Sequence, residues 1–228
     1  MSGPPGAVGG EEPRAADGRV PGRRGRATRQ RLLQETAQML KATSYRDLKV
    51  VDIARAARTS PATFYQYFPD VEAAVLVLAE EMITHGARFP VLVRRGRWRG
   101  RAGWATACEL VDGFLAFWEE HRSVLRVVDL ATAEGDARFH NVRTRLLNGL
   151  TVALREAIEQ RTAGRPTAGE GDPMATAGVL VAMLAHVAAH RYGFEFWGIR
   201  TDDVRGSMAR LIYWSVSGQR PPGGGEKA

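Results

Sequence analysis

Between Leu48 and Asp70 two short helical patterns are separated by a turn too tight to hold another element, and this spacing restricts the N-terminal part of the chain to a small helical unit. Val50, Ile53, Ala54 and Ala57 recur at helical spacing on the first pattern. Ser60 is placed to cap the second, with Pro61 at its first position, where a missing N–H costs nothing. Pro69 ends that helix, and Asp70 caps a longer one with a stripe of Val71, Ala74, Val75, Leu78, Ala79, Met82 and Ile83. Upstream, helical patterning begins at Thr28, a suitable N-cap, and runs through Leu32, Leu33, Thr36, Ala37 and Leu40. Phe64 and Phe68 lie one turn apart. The spacing predicts that both are core, packed under the third helix by Leu33, Ala37, Leu40, Ile53, Ala54 and Ala57. A helix held this way is a rigid probe whose N-terminal residues can enter a major groove.

The remaining chain carries helical periods only. A Gly/Arg segment at 94–103 precedes helices expected over 102–120, 122–133 and 136–161. A Gly/Pro-rich loop at 162–172 leads to a helix opened by Pro173 and running to Trp197, and Asp202 opens the last, to Ser217. No alternating pattern bounded by turns suggests a strand, so the fold class is all-α. The expected organisation is a disordered tail at 1–22, a helix-turn-helix domain at 23–70, a larger helical domain at 71–218, and a second disordered tail at 219–228.

Charge adds to this reading. The chain carries a formal net charge of +7, and residues 20–70 hold ten basic side chains against four acidic ones. A field of one sign concentrated in this way attracts a polyanion and releases its counterions on contact, although charged faces also serve solubility. A lone cysteine, Cys108, leaves no internal disulfide and points to a reducing compartment. No signal-like apolar run opens the chain, and the apolar stretch at 174–189 is interrupted by His186, so it reads as a buried bundle helix; the expected location is cytoplasmic, with no membrane partner.

The segment Leu48-Lys49-Val50-Val51-Asp52-Ile53-Ala54-Arg55-Ala56-Ala57, followed by Ser60-Pro61-Ala62-Thr63-Phe64-Tyr65-Gln66-Tyr67-Phe68-Pro69-Asp70, resembles the DNA-binding part of TetR-family regulators. The resemblance is detailed over 26–85; over 102–217 it rests on the number and order of helices. It implies a homodimeric, ligand-responsive repressor bound to a double-stranded operator, with 23–70 as the DNA-binding domain and 71–218 as the ligand-binding and dimerisation domain. Pro61, Ala62 and Gln66 match positions that face base edges, with Pro61 and Ala62 suited to a thymine methyl and Gln66 to adenine. Ser60, Thr63, Tyr65 and Tyr67 match phosphate-contacting positions. For Tyr65 and Tyr67 the alternative is that amphipathic rings cover the helix.

Three positions depart from the family's pattern. Lys49 stands where a capping Thr or Ser is usual, Arg58 where a turn glycine is usual, and Val71 where a phosphate-binding lysine is common. Lys49 can reach a phosphate instead, and Arg58 is expected to hold a left-handed conformation. Arg23, Arg24 and Arg26 precede the expected first helix, as a minor-groove arm or as a solvated tail. Arg94, Arg95, Arg97, Arg99 and Arg101 form a second cluster, either a solvated loop or a contact for a phosphate or an acidic ligand portion.

In the C-terminal part Trp104, Phe114, Phe117, Trp118, Met183 and His186 are candidate lining for an apolar effector pocket, weighed against ordinary core. Leu184 and Val187 on one helix and Met208, Leu211 and Ile212 on another are candidates for a four-helix dimer interface, weighed against closure of the monomer core. His186 and His190 have metal-ligand spacing but no third ligand near them, and no acid/base pair, phosphate loop or nucleophile elbow is present. The expectation is therefore no enzyme, no catalytic residue, no metal and no cofactor. The competing reading is a helical protein that binds or sequesters a small molecule without reading DNA sequence.

Overall fold

The computed structural model describes residues 22–162 and 171–222. Every regular element among them is helical: α1 Arg23–Ala42, a 3-10 turn Tyr45–Asp47, α2 Val50–Ala56, α3 Pro61–Tyr67, α4 Val71–Gly86, α5 Arg88–Arg95, α6 Gly100–Glu120, α7 Arg122–Ala133, α8 Ala137–Thr162, α9 Pro173–His190, α10 Tyr192–Glu195 and α11 Thr201–Ser217. The chain divides into two compact units, residues 1–78 and 79–228, and the division falls within α4.

The first unit is built from α1, α2 and α3 around Leu32, Leu33, Leu40, Ile53, Ala54, Ala57, Phe64 and Phe68. Phe64 is 0% and Phe68 2% exposed, with ring centroids 5.5 Å apart. Ala37, expected among the core residues, is half-buried. The buried Thr36 disposes of its hydroxyl by donating to the Leu32 carbonyl one turn back, at 2.8 Å. Ser60 caps α3: its Oγ accepts from the Thr63 amide at 3.1 Å, with Pro61 at the first helical position. Asp70 caps α4 in the same way, accepting from the Ala73 amide at 2.7 Å.

The second unit is a helical bundle in which α8 packs on α5, α7 and α9, and α11 lies along α6. Gly86 and Gly149 permit close approaches within it. A Cβ on Gly86 would stand 2.8 Å from Leu146 Cδ1, and one on Gly149 would stand 3.4 Å from Pro90. Phe89 centres an aromatic cluster with Phe114 and Phe117, both at 5.5 Å, and Phe114 stacks on Trp118 at 5.7 Å. The ion pairs Arg94–Glu156, Arg143–Asp129 and Arg205–Asp112 tie neighbouring helices at the surface.

Several boundaries differ from the sequence expectation. α1 begins five residues before Thr28, whose hydroxyl instead donates to the Arg24 carbonyl inside the helix. Arg23, Arg24 and Arg26 are therefore helical rather than a flexible arm. The short α5 was hidden by Pro90 and by the arginines that follow it; Pro90 lies in its first turn, where the ring is tolerated. The helix expected over 173–197 breaks after His190, and α10 carries only four residues beyond it. Gln219, assigned to a disordered tail, accepts from the Tyr213 hydroxyl at 3.1 Å and from the Gly100 amide at 3.3 Å. The tail at 1–21 and most of the 162–172 loop lie outside the described residues.

Among the described residues one helix, α9, is long and apolar enough to cross a membrane, with a third of that stretch buried inside the protein. It packs against α8, α6 and α11, as a bundle helix does.

Because the fully buried Phe64 is the side chain of α3 that enters this core, truncating it tests the packing directly. Phe64→Ala is expected to destabilise the first unit by about 3–5 kcal/mol, read by urea unfolding of the full chain. A loss below about 1 kcal/mol would mean that α3 is held by something other than its aromatic face.

Candidate nucleic-acid interface

The link between α2 and α3 sets the geometry of the first unit. α2 ends in a Schellman motif: the Thr59 amide donates to the Ala54 carbonyl at 2.9 Å, and the Arg58 amide to the Arg55 carbonyl at 3.0 Å. The motif requires a left-handed residue at its second position, and Arg58 takes it with φ +54°. The expectation drawn from the missing glycine is met. A non-glycine residue pays about 1 kcal/mol for this conformation. The exposed arginine side chain thereby sits at the start of the reading segment.

From that turn α3 presents Pro61, Ala62, Tyr65 and Gln66 to solvent, and Tyr65 is 52% exposed. Thr63 and Tyr67 are half-buried. The Ser60 and Thr63 hydroxyls stand 3.0 Å apart, so one pair both caps the helix and offers oxygen chemistry at its N-terminus. Tyr65 packs edge-on against Phe64 at 5.9 Å, which orients its ring while leaving the outer edge exposed. Lys49 is the N-cap of α2 without a side-chain cap bond, and its side chain is exposed. Val71 is buried at the start of α4, so it serves packing where a phosphate-binding lysine would reach outward.

The structure adds a feature the sequence did not signal. The first turn of α1 contains no acid, has no side-chain cap, and carries the exposed Arg23, Arg24 and Arg26. Guanidinium groups at the positive end of a helix dipole are unfavourable alone, and an approaching phosphate removes that penalty. Arg29, further along α1, lies 5.3 Å over the Phe68 ring and so ties α1 to the anchor of α3. Arg55 is paired with Asp52 at 3.0 Å.

Comparison with known proteins agrees with this arrangement. Residues 32–76 match the profile of bacterial regulatory proteins of the tetR family, and residues 90–223 match that of the tetracyclin repressor-like C-terminal domain. The chain belongs to the TetR family. It is 26% identical over 135 residues to an uncharacterized HTH-type transcriptional regulator of Haemophilus influenzae, a match covering 59% of this chain and 64% of that protein. The fold is shared with the fatty acid degradation regulator FadR of Bacillus halodurans, with a TM-score of 0.60 at 16% identity, covering 86% of this chain and 97% of that one. FadR of Bacillus subtilis, solved in complex with stearoyl-CoA, gives a TM-score of 0.60 at 14% identity over 84% of this chain and 99% of that one.

In this TetR-family chain the effector-pocket candidates do not gather around one space. Phe114, Phe117 and Trp118 are buried in the aromatic cluster, Trp104 and Met183 are half-buried, and His186 is exposed. None of the six lines a cleft of about 550 Å³ that lies between the α5–α6 loop, the end of α8 and the end of α11. Burial also divides the dimer candidates. Leu184, Met208 and Ile212 are protomer core, Val187 is half-buried, and Leu211 is exposed. Helical spacing had placed all five on stripes but could not tell which edge of each stripe faced inward.

The histidines hold no cluster of ligands. His186 and His190 stack with ring centroids 4.4 Å apart, and no group of three potential metal ligands occurs among the described residues. His85 Nδ1 and His121 Nε2 stand 3.4 Å apart, and burial, first of several causes, pushes the His121 imidazole below its usual range.

The strained turn yields a sharp expectation. Arg58→Gly removes the left-handed penalty but frees the unfolded chain, so a net gain of no more than about 0.6 kcal/mol in urea unfolding is expected. The same change should lower the salt dependence of duplex binding by about one phosphate contact. Destabilisation on substitution would show that the arginine makes compensating contacts.

Proposed function

We propose that this TetR-family regulator is a homodimeric repressor that holds a palindromic operator and leaves it when a small molecule with a large apolar part binds the second unit. The observation that carries the reading is α3, a helix fixed from below by Phe64 and Phe68 with Pro61, Ala62, Tyr65 and Gln66 turned outward. Pro61, Ala62 and Gln66 are the base-reading set. Ser60, Thr63, Tyr65, Tyr67, Lys49 and Arg26 position the protein on phosphates. The 23–70 and 71–218 division is kept as the functional one, with α4 opening the effector-binding part.

Dimerisation is assigned to the outer faces of α9 and α11. Val179 is 69%, Leu211 49% and Trp214 59% exposed, an apolar stripe unlike the surface of a stable monomer. Val187 lies at its edge, whereas Leu184, Met208 and Ile212 support it from within. Two-fold symmetry places two recognition helices on half-sites about 34–36 Å apart, so a modest change in their separation is enough to end simultaneous engagement. The stearoyl-CoA held by the Bacillus subtilis relative supports an effector with a long apolar chain.

The test is selection from randomised duplexes by the full-length protein, followed by footprinting. A palindrome with half-sites one helical turn apart is expected, Gln66→Ala should relax one position in each half-site by about 1–3 kcal/mol, and L211E/W214E should reduce the footprint to a half-site. Absence of any sequence preference would favour a protein that binds or sequesters its ligand without reading DNA.

A further inference from the structure

α9 carries no Asp, Glu, Lys or Arg in its 18 residues, and His186 and His190 are its only titratable side chains. They are not scattered. Ala175, Val179, Ala182, His186 and His190 are all exposed and follow one another at steps of three or four residues, which makes a single stripe down the helix. The stripe includes Val179, so the two histidines lie on the face assigned to dimerisation.

Local geometry prepares the pair for a ligand. The rings stack with centroids 4.4 Å apart and planes 25° apart. His190 Nδ1 stands 3.0 Å from the His186 carbonyl oxygen. A carbonyl only accepts, so this contact places the ring proton on Nδ1 and leaves Nε2 as an open lone pair. An N–H held by a backbone carbonyl is also the contact that orients a metal-ligating imidazole. Residues i and i+4 share one helix face, the spacing at which two histidines of one helix reach one ion. No carboxylate pairs with either ring among the described residues; Glu119, which meets the next residue Arg191, is engaged by it and by Tyr192. A dimer that covers this stripe takes both imidazoles out of water, and a buried ring nitrogen without a partner is unfavourable. The small residues Ala175, Gly178 and Ala182 let a second helix lie close along α9.

We infer that His186 and His190 of two copies of this chain together hold one divalent ion of the zinc class at the dimer interface, so that metal supply sets how much of the chain is dimeric. Two-fold symmetry brings the same pair from the second copy. Two pairs give four imidazole nitrogens, the donor number of a closed tetrahedral zinc site, and imidazole suits zinc and its neighbours in the first transition row. One protomer holds only half of the site, in keeping with the absence of any group of three potential metal ligands among its described residues. The inference rests on the homodimer reading and adds a ligand to that same face.

The test uses the untagged full-length protein, stripped with a chelator, and zinc alone as the probe. Calorimetry is expected to saturate at one ion per two protomers. Sedimentation should give a dimer dissociation constant about tenfold or more tighter with zinc than with chelator. Cobalt in place of zinc should show the intense visible absorption of a four-coordinate ion. H186Q/H190Q should lose the binding and the zinc-dependent tightening, while H85Q, which alters the other close histidine pair, should keep both. Thermal unfolding of H186Q/H190Q in chelator is expected to match that of the unmodified chain, because both rings are exposed in the protomer. One ion per protomer, with the weak absorption of a six-coordinate ion, would make the pair a surface chelate and overturn the bridge. A dimer that takes up no zinc through these residues, or whose dissociation is unmoved by it, would overturn the site and leave the dimer reading standing. A chain that stays monomeric at micromolar concentration with and without zinc would overturn both.

Discussion

The packing of Phe64 and Phe68 beneath α3 is the interaction on which the reading surface depends. A seven-residue helix is too short to be stable alone in water, so its orientation comes from tertiary contacts. Two adjacent aromatic rings supply those contacts, the Ser60 cap fixes the first turn, and the Schellman motif around Arg58 sets the angle at which the chain leaves α2. Each device constrains the same few residues. Of the outward side chains only Tyr65 packs against the anchor, and Pro61, Ala62 and Gln66 are left exposed.

This part of the protein was visible in the sequence because its signals are local. A Ser-Pro helix start, an aromatic pair at helical spacing and an Ile-Ala core pair all act within twenty residues, and the structure places them as their chemistry demands. The start of α1 was misjudged because a helix beginning with three arginines and no cap violates the usual preference for acids and capping side chains. α5 was missed for a related reason, since Pro90 and the basic run after it look like a loop until Phe89 and Val93 are seen buried on one face.

The second unit was less visible because its organisation is long-range. Apolar stripes on α9 and α11 are broad enough to serve both core and surface, and only the fold sends Leu184 and Ile212 inward while leaving Leu211 and Trp214 outside. The aromatic residues of α6 illustrate the same point. Their number suggested a cavity lining, and Phe114 and Phe117 pack on Phe89, with Trp118 stacked on Phe114. A cleft of about 550 Å³ lies at the α5–α6 loop, where Gly96 and neighbouring arginines offered no hydrophobic signal. Patterning identifies what is apolar; it does not identify where packing leaves room.

Hydrogen exchange of the full-length protein with and without a bound duplex measures the central claim most directly. Protection is expected to appear at residues 60–67 and at the first turn of α1, with the amides around Phe64 already slow in the free protein because the helix is held before DNA arrives. Rapid exchange throughout α3 in the free protein, or duplex-induced protection confined to the second unit, would contradict a preformed recognition helix.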